Sequence, residues 1–73
     1  MDKKNNAMER NDVLPNGALI LGQKHTKSGE GRIVLCQFKG EFVTWFMDDK
    51  RNTYSGNYFR KIEPAFDDFM TRV

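Results

Sequence analysis

The sequence predicts an α+β fold, a four-stranded antiparallel β-meander with one C-terminal helix packed on one face (ββββα), as a two-layer single small domain. Three observations lead to this fold. Residues 32–59 concentrate β-branched and aromatic side chains, a composition that favours strands. Turn-forming segments divide this stretch into strand-sized pieces. After it, apolar residues recur at helical spacing up to the end of the chain.

The first strand is expected at residues 18–25, which read ALILGQKH. It follows a turn signal of proline, asparagine and glycine at residues 15–17. The glycine-containing residues 26–31 form the tip of the first hairpin. Pairing back on the second strand would set Leu21 opposite Cys36 and Leu19 opposite Phe38, so both leucines are expected on one apolar face.

The second hairpin is expected to turn at Gly40 and Glu41, because glycine takes a positive φ at the first central position of a tight II′ turn. This register puts six apolar side chains on one side of the sheet, which we name the Trp45 face. They form the pairs Phe38–Val43, Cys36–Trp45 and Val34–Met47. Side chains alternate along a strand, so the opposite side, the Phe46 face, mixes polar and apolar residues.

The third hairpin turns within residues 48–52, which read DDKRN and are rich in turn formers. The following segment TYSGNYF would then pair with the third strand. Its expected partners are Met47 opposite Tyr54, Trp45 opposite Gly56 and Val43 opposite Tyr58. The indole ring would fill the space that the glycine leaves.

A helix is expected to close the chain. Glu63-Pro64 begins it, since proline in the first helical turn loses no hydrogen bond. Four apolar residues then recur at the spacing of one helical face: Phe66, Phe69, Met70 and Val73. This stripe needs an apolar partner, and we expect it to cover the Trp45 face.

The chain of 73 residues is expected to hold a polar, mobile N-terminal segment at 1–17 and a single α+β domain at 18–73. No apolar run approaches the roughly 20 residues of a membrane span, so no membrane association is expected. One cysteine cannot form an internal disulfide, and a reduced, cytoplasmic setting is the expectation.

The sequence carries no catalytic set. Cys36 and His25 are the only candidates for a nucleophile and its base, and Cys36 lies in mid-strand among apolar residues, where a thiol is usually inert. One cysteine and one histidine cannot make a structural zinc site, and no phosphate-loop order of glycine, lysine and serine is present. We therefore expect a protein that is not an enzyme, with no metal and no cofactor.

The Phe46 face is the leading candidate for a binding surface, because an apolar patch rimmed by polar residues often marks a contact site. Its candidate partner-binding residues are Leu35, Phe42, Thr44, Phe46, Phe59 and Lys39. Three interpretations of this face stay open: coverage by the N-terminal segment, a homodimer, or a foreign protein. We favour a non-enzymatic interaction module that binds a protein partner or itself through this face.

The alternative is a module that binds single-stranded nucleic acid through basic loops and aromatic stacking. The net charge is only +2, which is far from the dense basic surface of most nucleic-acid binders. A solvated fringe of charge explains the same residues. The candidate nucleic-acid-binding residues are Lys24, Lys27, Arg32, Lys50, Arg51 and Arg60.

Overall fold

The computed structural model describes residues 12–73. They form four strands and one helix: β1 (Leu19–His25), β2 (Arg32–Phe38), β3 (Glu41–Met47), β4 (Thr53–Phe59) and α1 (Ile62–Thr71). The strands make one antiparallel sheet in the order β1-β2-β3-β4, and α1 packs on it. The predicted α+β fold is confirmed. The expectation of a mobile segment falls largely on residues 1–11, outside the described part of the chain.

The β2–β3 hairpin turns at Lys39 and Gly40, one residue earlier than predicted. Both have a positive φ, 51° and 81°, which is the requirement of a type I′ turn. Phe38 therefore pairs with Glu41, and Val34 pairs with Trp45. The predicted register is wrong by two residues, and a shift by an even number keeps every side chain on its expected face.

A β-bulge in β1 overturns the predicted positions of two leucines. The pairing changes register between Ile20, opposite Cys36, and Gly22, opposite Leu35. The extra residue reverses the side-chain alternation on one side of the bulge. Ile20 therefore packs on the Trp45 face, whereas Leu19 and Leu21 are 41% and 46% exposed.

A second bulge divides β4. Val43 pairs with Tyr58 as predicted, but Tyr54 pairs with Phe46 and not with Met47. Ser55, with a φ of 57°, occupies the irregular position. Because of this bulge, Tyr54 and Tyr58 belong to opposite faces of the sheet.

The helix covers the Phe46 face, so the prediction that it covers the Trp45 face is wrong. Ala65 and Phe69 of α1 are buried against Ile33 and Leu35. Aromatic residues of β3 and β4 complete this layer while keeping part of their surface in solvent: Phe42, Phe46 and Phe59.

The Trp45 face is covered by the chain that precedes β1. Leu14 and Ala18 are buried in one cluster with Val34, Val43 and Trp45. A tight turn holds this segment, with the N–H of Leu14 donating to the carbonyl of Ala18 at 2.8 Å. Trp45 is consequently only 5% exposed, although α1, the one helix of residues 12–73, lies on the other face.

Polar side chains explain the choice of face. Thr44 lies on the Phe46 face and is fully buried, yet its hydroxyl donates a hydrogen bond to Asp68 of α1. Asn57 of β4 donates to the same carboxylate oxygen at 3.1 Å. From the residue that follows α1, the Arg72 guanidinium donates to the carbonyls of Thr44 and Ser55 at 3.2 and 2.9 Å. The polar residues that made this face look exposed are thus the partners of the helix.

The Asp68 carboxylate is stabilised in its charged form. Partial burial raises its pKa, but the hydrogen bonds from Thr44 and Asn57 and the charge of Arg72 together lower it below the usual value. A carboxyl group whose pKa is lower in the folded state stabilises the fold above the unfolded pKa of about 3.9, and that contribution is lost as the pH falls below it.

Replacing Asp68 by Ala is expected to lower the free energy of unfolding at pH 7 by about 1–3 kcal/mol, because the buried Thr44 hydroxyl loses its acceptor. Urea unfolding followed by Trp45 fluorescence measures the change. Asp67→Ala is the matched control, since Asp67 is an exposed neighbour on the same helix. Equal stability of the two variants would contradict the proposed contact.

The same pair of variants gives a pH dependence. Between pH 7 and pH 3 the native chain and Asp67→Ala should lose more unfolding free energy than Asp68→Ala, because only Asp68→Ala lacks the Asp68 carboxylate, whose pKa is lowered in the fold. Urea unfolding at several pH values tests this, and parallel pH profiles for all three chains would contradict it.

Candidate functional site

The residues predicted to bind a partner do not form an open face. Leu35 and Thr44 are buried beneath α1, and Phe42, Phe46 and Phe59 pack against the cluster that the helix completes. Helix packing occupies this surface, so the prediction that it is an open binding face is wrong.

Lys39, the remaining predicted contact residue, lies apart from that interior. It is exposed in the β2–β3 turn, and its Nζ lies 5.1 Å from the centre of the Phe38 ring. This cation–π contact places the ammonium group over an aromatic ring of the Trp45 face, away from the helix.

The predicted basic residues are divided between the two ends of the sheet. Five lie at or near the end that holds the β1–β2 and β3–β4 connections: Lys24, Lys27, Arg32, Lys50 and Arg51. Arg60 follows β4 at the opposite end. Asp48 and Asp49 share the first end with the bases, so positive charge is partly offset there. Nucleic-acid binding stays a prediction.

Three of these basic side chains already donate hydrogen bonds to other residues of the chain. Lys24 Nζ donates to the carbonyl of Met70 at 3.0 Å and lies 5.3 Å from the centre of the Phe69 ring. The Arg32 guanidinium donates to Gln23 Oε1 at 3.0 Å, and that of Arg51 donates to the carbonyl of Val13 at 3.1 Å. Their positions are therefore fixed by the fold.

A cavity of about 360 Å³ lies between these groups, lined by Gln23, Arg32, Met47, Asp48, Asp49 and Arg51. Asp48 organises the adjoining turn, accepting hydrogen bonds from the backbone N–H groups of Asn52 and Lys50, both at 2.9 Å. The bond from Asn52 contributes most to lowering the pKa of Asp48. Asp48 is thus an ionised turn residue, unsuited to donate a proton.

The candidate nucleophile is enclosed. Cys36 is fully buried, and burial raises the pKa of its thiol to about 12. His25 pairs with Arg32 at the far end of β2 from Cys36. Within residues 12–73, no group of three or more His, Cys, Asp and Glu side chains could hold a metal ion, and no helix is long and apolar enough to cross a bilayer.

The outer edge of β4 is the most accessible strand surface. β4 ends the sheet and pairs only with β3 among the described residues. Its sequence, TYSGNYF, contains no charged residue. Edge strands usually carry charges or are covered, because an open edge can pair with another chain.

The other edge of the sheet is partly covered. Val13 forms a bridge with Leu19, and the N–H of Ile20 donates to the carbonyl of Asp12 at 2.7 Å. β1 also carries a charged residue, Lys24. The contrast between the edges makes β4 the candidate binding site.

The backbone of β4 offers outward-pointing groups at two residues. In an antiparallel ladder, alternate residues direct their N–H and C=O toward each neighbouring strand. Phe38 and Glu41 flank a two-residue turn, so the backbone groups of Glu41 bond to β2 and those of the next residue, Phe42, bond to β4. By the same alternation Thr44 also bonds to β4, and the two residues pair with Phe59 and Asn57. The backbone groups of Gly56 and Tyr58 therefore point away from the sheet.

Sequence reasoning missed this site because it placed Tyr54 and Tyr58 together in the core. The structure leaves them 50% and 54% exposed on opposite faces. The sequence did contain an indication of this site, because the last strand of a meander is an edge strand and this one contains no charged residue.

The buried thiol gives a direct test of the closed interior. Cys36 is expected to react with a disulfide reagent such as DTNB at least about a hundredfold more slowly in the folded chain than in urea, because burial suppresses the thiolate. Absorbance of the released thiolate measures both rates at one pH. Similar rates in the two states would show that Cys36 is reachable.

No family model, no curated protein and no solved structure matches this chain. The functional interpretation consequently comes from the geometry of β4 and its surroundings.

Proposed function

We propose that the protein is a non-enzymatic interaction module that binds a protein partner by adding an extended segment of that partner to the outer edge of β4. The observation that carries this proposal is an edge strand that pairs only with β3 among residues 12–73 and that contains no charged residue. In this mode of recognition, main-chain hydrogen bonds provide affinity and alternate side chains provide specificity.

The bulge at Ser55 limits how many residues of β4 can pair with an added partner strand. The Ser55 carbonyl accepts from Arg72, so it is directed to the helix rather than to the edge. The regular part of the edge runs from residue 56 to 59, with outward groups at Gly56 and Tyr58. A partner strand would thus make a short ladder beside two exposed aromatic side chains, and tyrosine is enriched in protein interfaces.

The short ladder favours a foreign segment over a second copy of this chain. Two β4 edges paired only through residues 56–59 would bury much less than the roughly 1,200–2,000 Å² of a stable interface. An extended peptide can add contacts with Tyr54 and Tyr58 on both faces of the sheet. We place this interaction in the cytoplasm, in keeping with the single reduced cysteine.

The proposal predicts that the chain selects extended peptides from a displayed library of random sequences. Methylating the backbone nitrogen of Tyr58 in a synthetic chain should weaken binding of the selected peptides at least about tenfold, because it removes an outward donor and blocks approach of the strand. Fluorescence polarisation with labelled peptides measures the affinity.

Methylation of the backbone nitrogen of Gln23 is the matched control. Gln23 pairs with Val34, and by the same alternation its N–H points outward from β1. This control should bind normally. Absence of selected peptides, or equal affinity after both methylations, would contradict binding at β4. Affinity for oligonucleotides that falls steeply with salt would instead support the nucleic-acid alternative.

A further inference from the structure

The indole N–H of Trp45, the single tryptophan, has no hydrogen-bond partner among residues 12–73. Trp45 is 95% buried, with 5% of its surface exposed. Its indole N–H is a hydrogen-bond donor and cannot accept. Within residues 12–73 this N–H donates to no protein atom. Buried donors are paired with a protein group or with water in the great majority of structures, so a donor without an acceptor in the chain is suited to one supplied from outside.

The indole N–H lies beside the open strand. A Cβ built on Gly56 would lie 2.5 Å from Nε1 and 2.9 Å from Cδ1 of Trp45. Gly56 is exposed, and its φ is outside the left-handed region, so the glycine is required for space and not for backbone conformation. It forms a notch in β4 through which the indole edge reaches the strand that a partner would join.

Two aromatic rings hold the indole in place. Phe38 packs edge-on against Trp45 with ring centres 5.6 Å apart. Tyr58 lies at nearly a right angle to the indole, with ring centres 6.2 Å apart. The Tyr58 ring forms one wall of the notch. The backbone groups of Tyr58 point away from the sheet, so this residue remains accessible to a partner.

We propose that the indole N–H of Trp45 selects the partner segment by donating a hydrogen bond to an amide side chain, Asn or Gln, at the position opposite Gly56. This inference rests on the proposed addition of a strand to β4. The acceptor is a side-chain atom, because the backbone of an added strand lies in the plane of the sheet and the indole lies above one face.

The length of the acceptor follows from strand geometry. Residues directly opposite in antiparallel strands have Cβ atoms about 4.5–5.5 Å apart. The amide oxygen lies two bonds beyond Cβ in Asn and three in Gln, so it can come within about 2.9 Å of Nε1, whereas an alanine or leucine offers no acceptor. A carboxylate meets no cation on the charge-free β4, which favours the neutral amide.

The test replaces the indole N–H by sulfur without changing the ring shape, using benzothienylalanine at position 45. The substitution affects one site because the chain has one tryptophan. Peptides selected by the native chain are compared with versions carrying Asn, Asp or Leu opposite Gly56. We expect the Asn version to bind the native chain at least about tenfold more tightly than the Leu version, and the two to bind the sulfur analogue about equally.

A second measurement uses the unaltered chain. In ¹⁵N–¹H correlation spectra, the single indole cross-peak should move downfield and its hydrogen exchange should slow when the Asn peptide is added. One outcome would overturn this inference and leave strand addition intact: binding that requires the Tyr58 N–H, shows no preference for Asn, and leaves the indole cross-peak unmoved. A preference for Asp would also overturn it. Failure of all peptides to bind would reject both.

Discussion

The contact between the buried Thr44 hydroxyl and the Asp68 carboxylate determines how this small domain is assembled. A threonine in the middle of a central strand can be buried only if its hydroxyl is paired. Asp68 provides that partner, and Arg72, the residue after the end of α1, donates to the carbonyls of Thr44 and Ser55. These bonds fix α1 over β3 and β4, while Ala65 and Phe69 supply the apolar contact beside them.

Both faces of the sheet are occupied as a consequence. The helix takes the Phe46 face, and the turn containing Leu14 closes the Trp45 face. The proposed recognition therefore falls to the strand edges, of which β1 is partly covered by residues 12–13. The open edge of β4 combines outward backbone groups with an indole N–H at the Gly56 notch. Backbone pairing and a specific side-chain contact would thus come from the same strand.

The candidate site was only partly predictable. The contact of Trp45 with Gly56 followed from strand pairing and the size difference of the two residues, and the structure confirms that they are neighbours. The exposure of Tyr54 and Tyr58 did not follow, because the bulge at Ser55 changes the side-chain alternation. A bulge leaves no periodic signal in a strand of seven residues, and its cause here includes a bond to the distant Arg72.

The sequence by itself determined the number, order and type of the elements, because hydrophobic periodicity, turn residues and helix-start signals are local properties. It also determined which side chains of β2 and β3 share a face, since an even register shift keeps alternation intact. Only the tertiary structure decided which face α1 covers. That choice depends on pairing Asp68 and Arg72 with Thr44 and Asn57, and polarity along one strand cannot distinguish a residue paired with a helix from one that faces water.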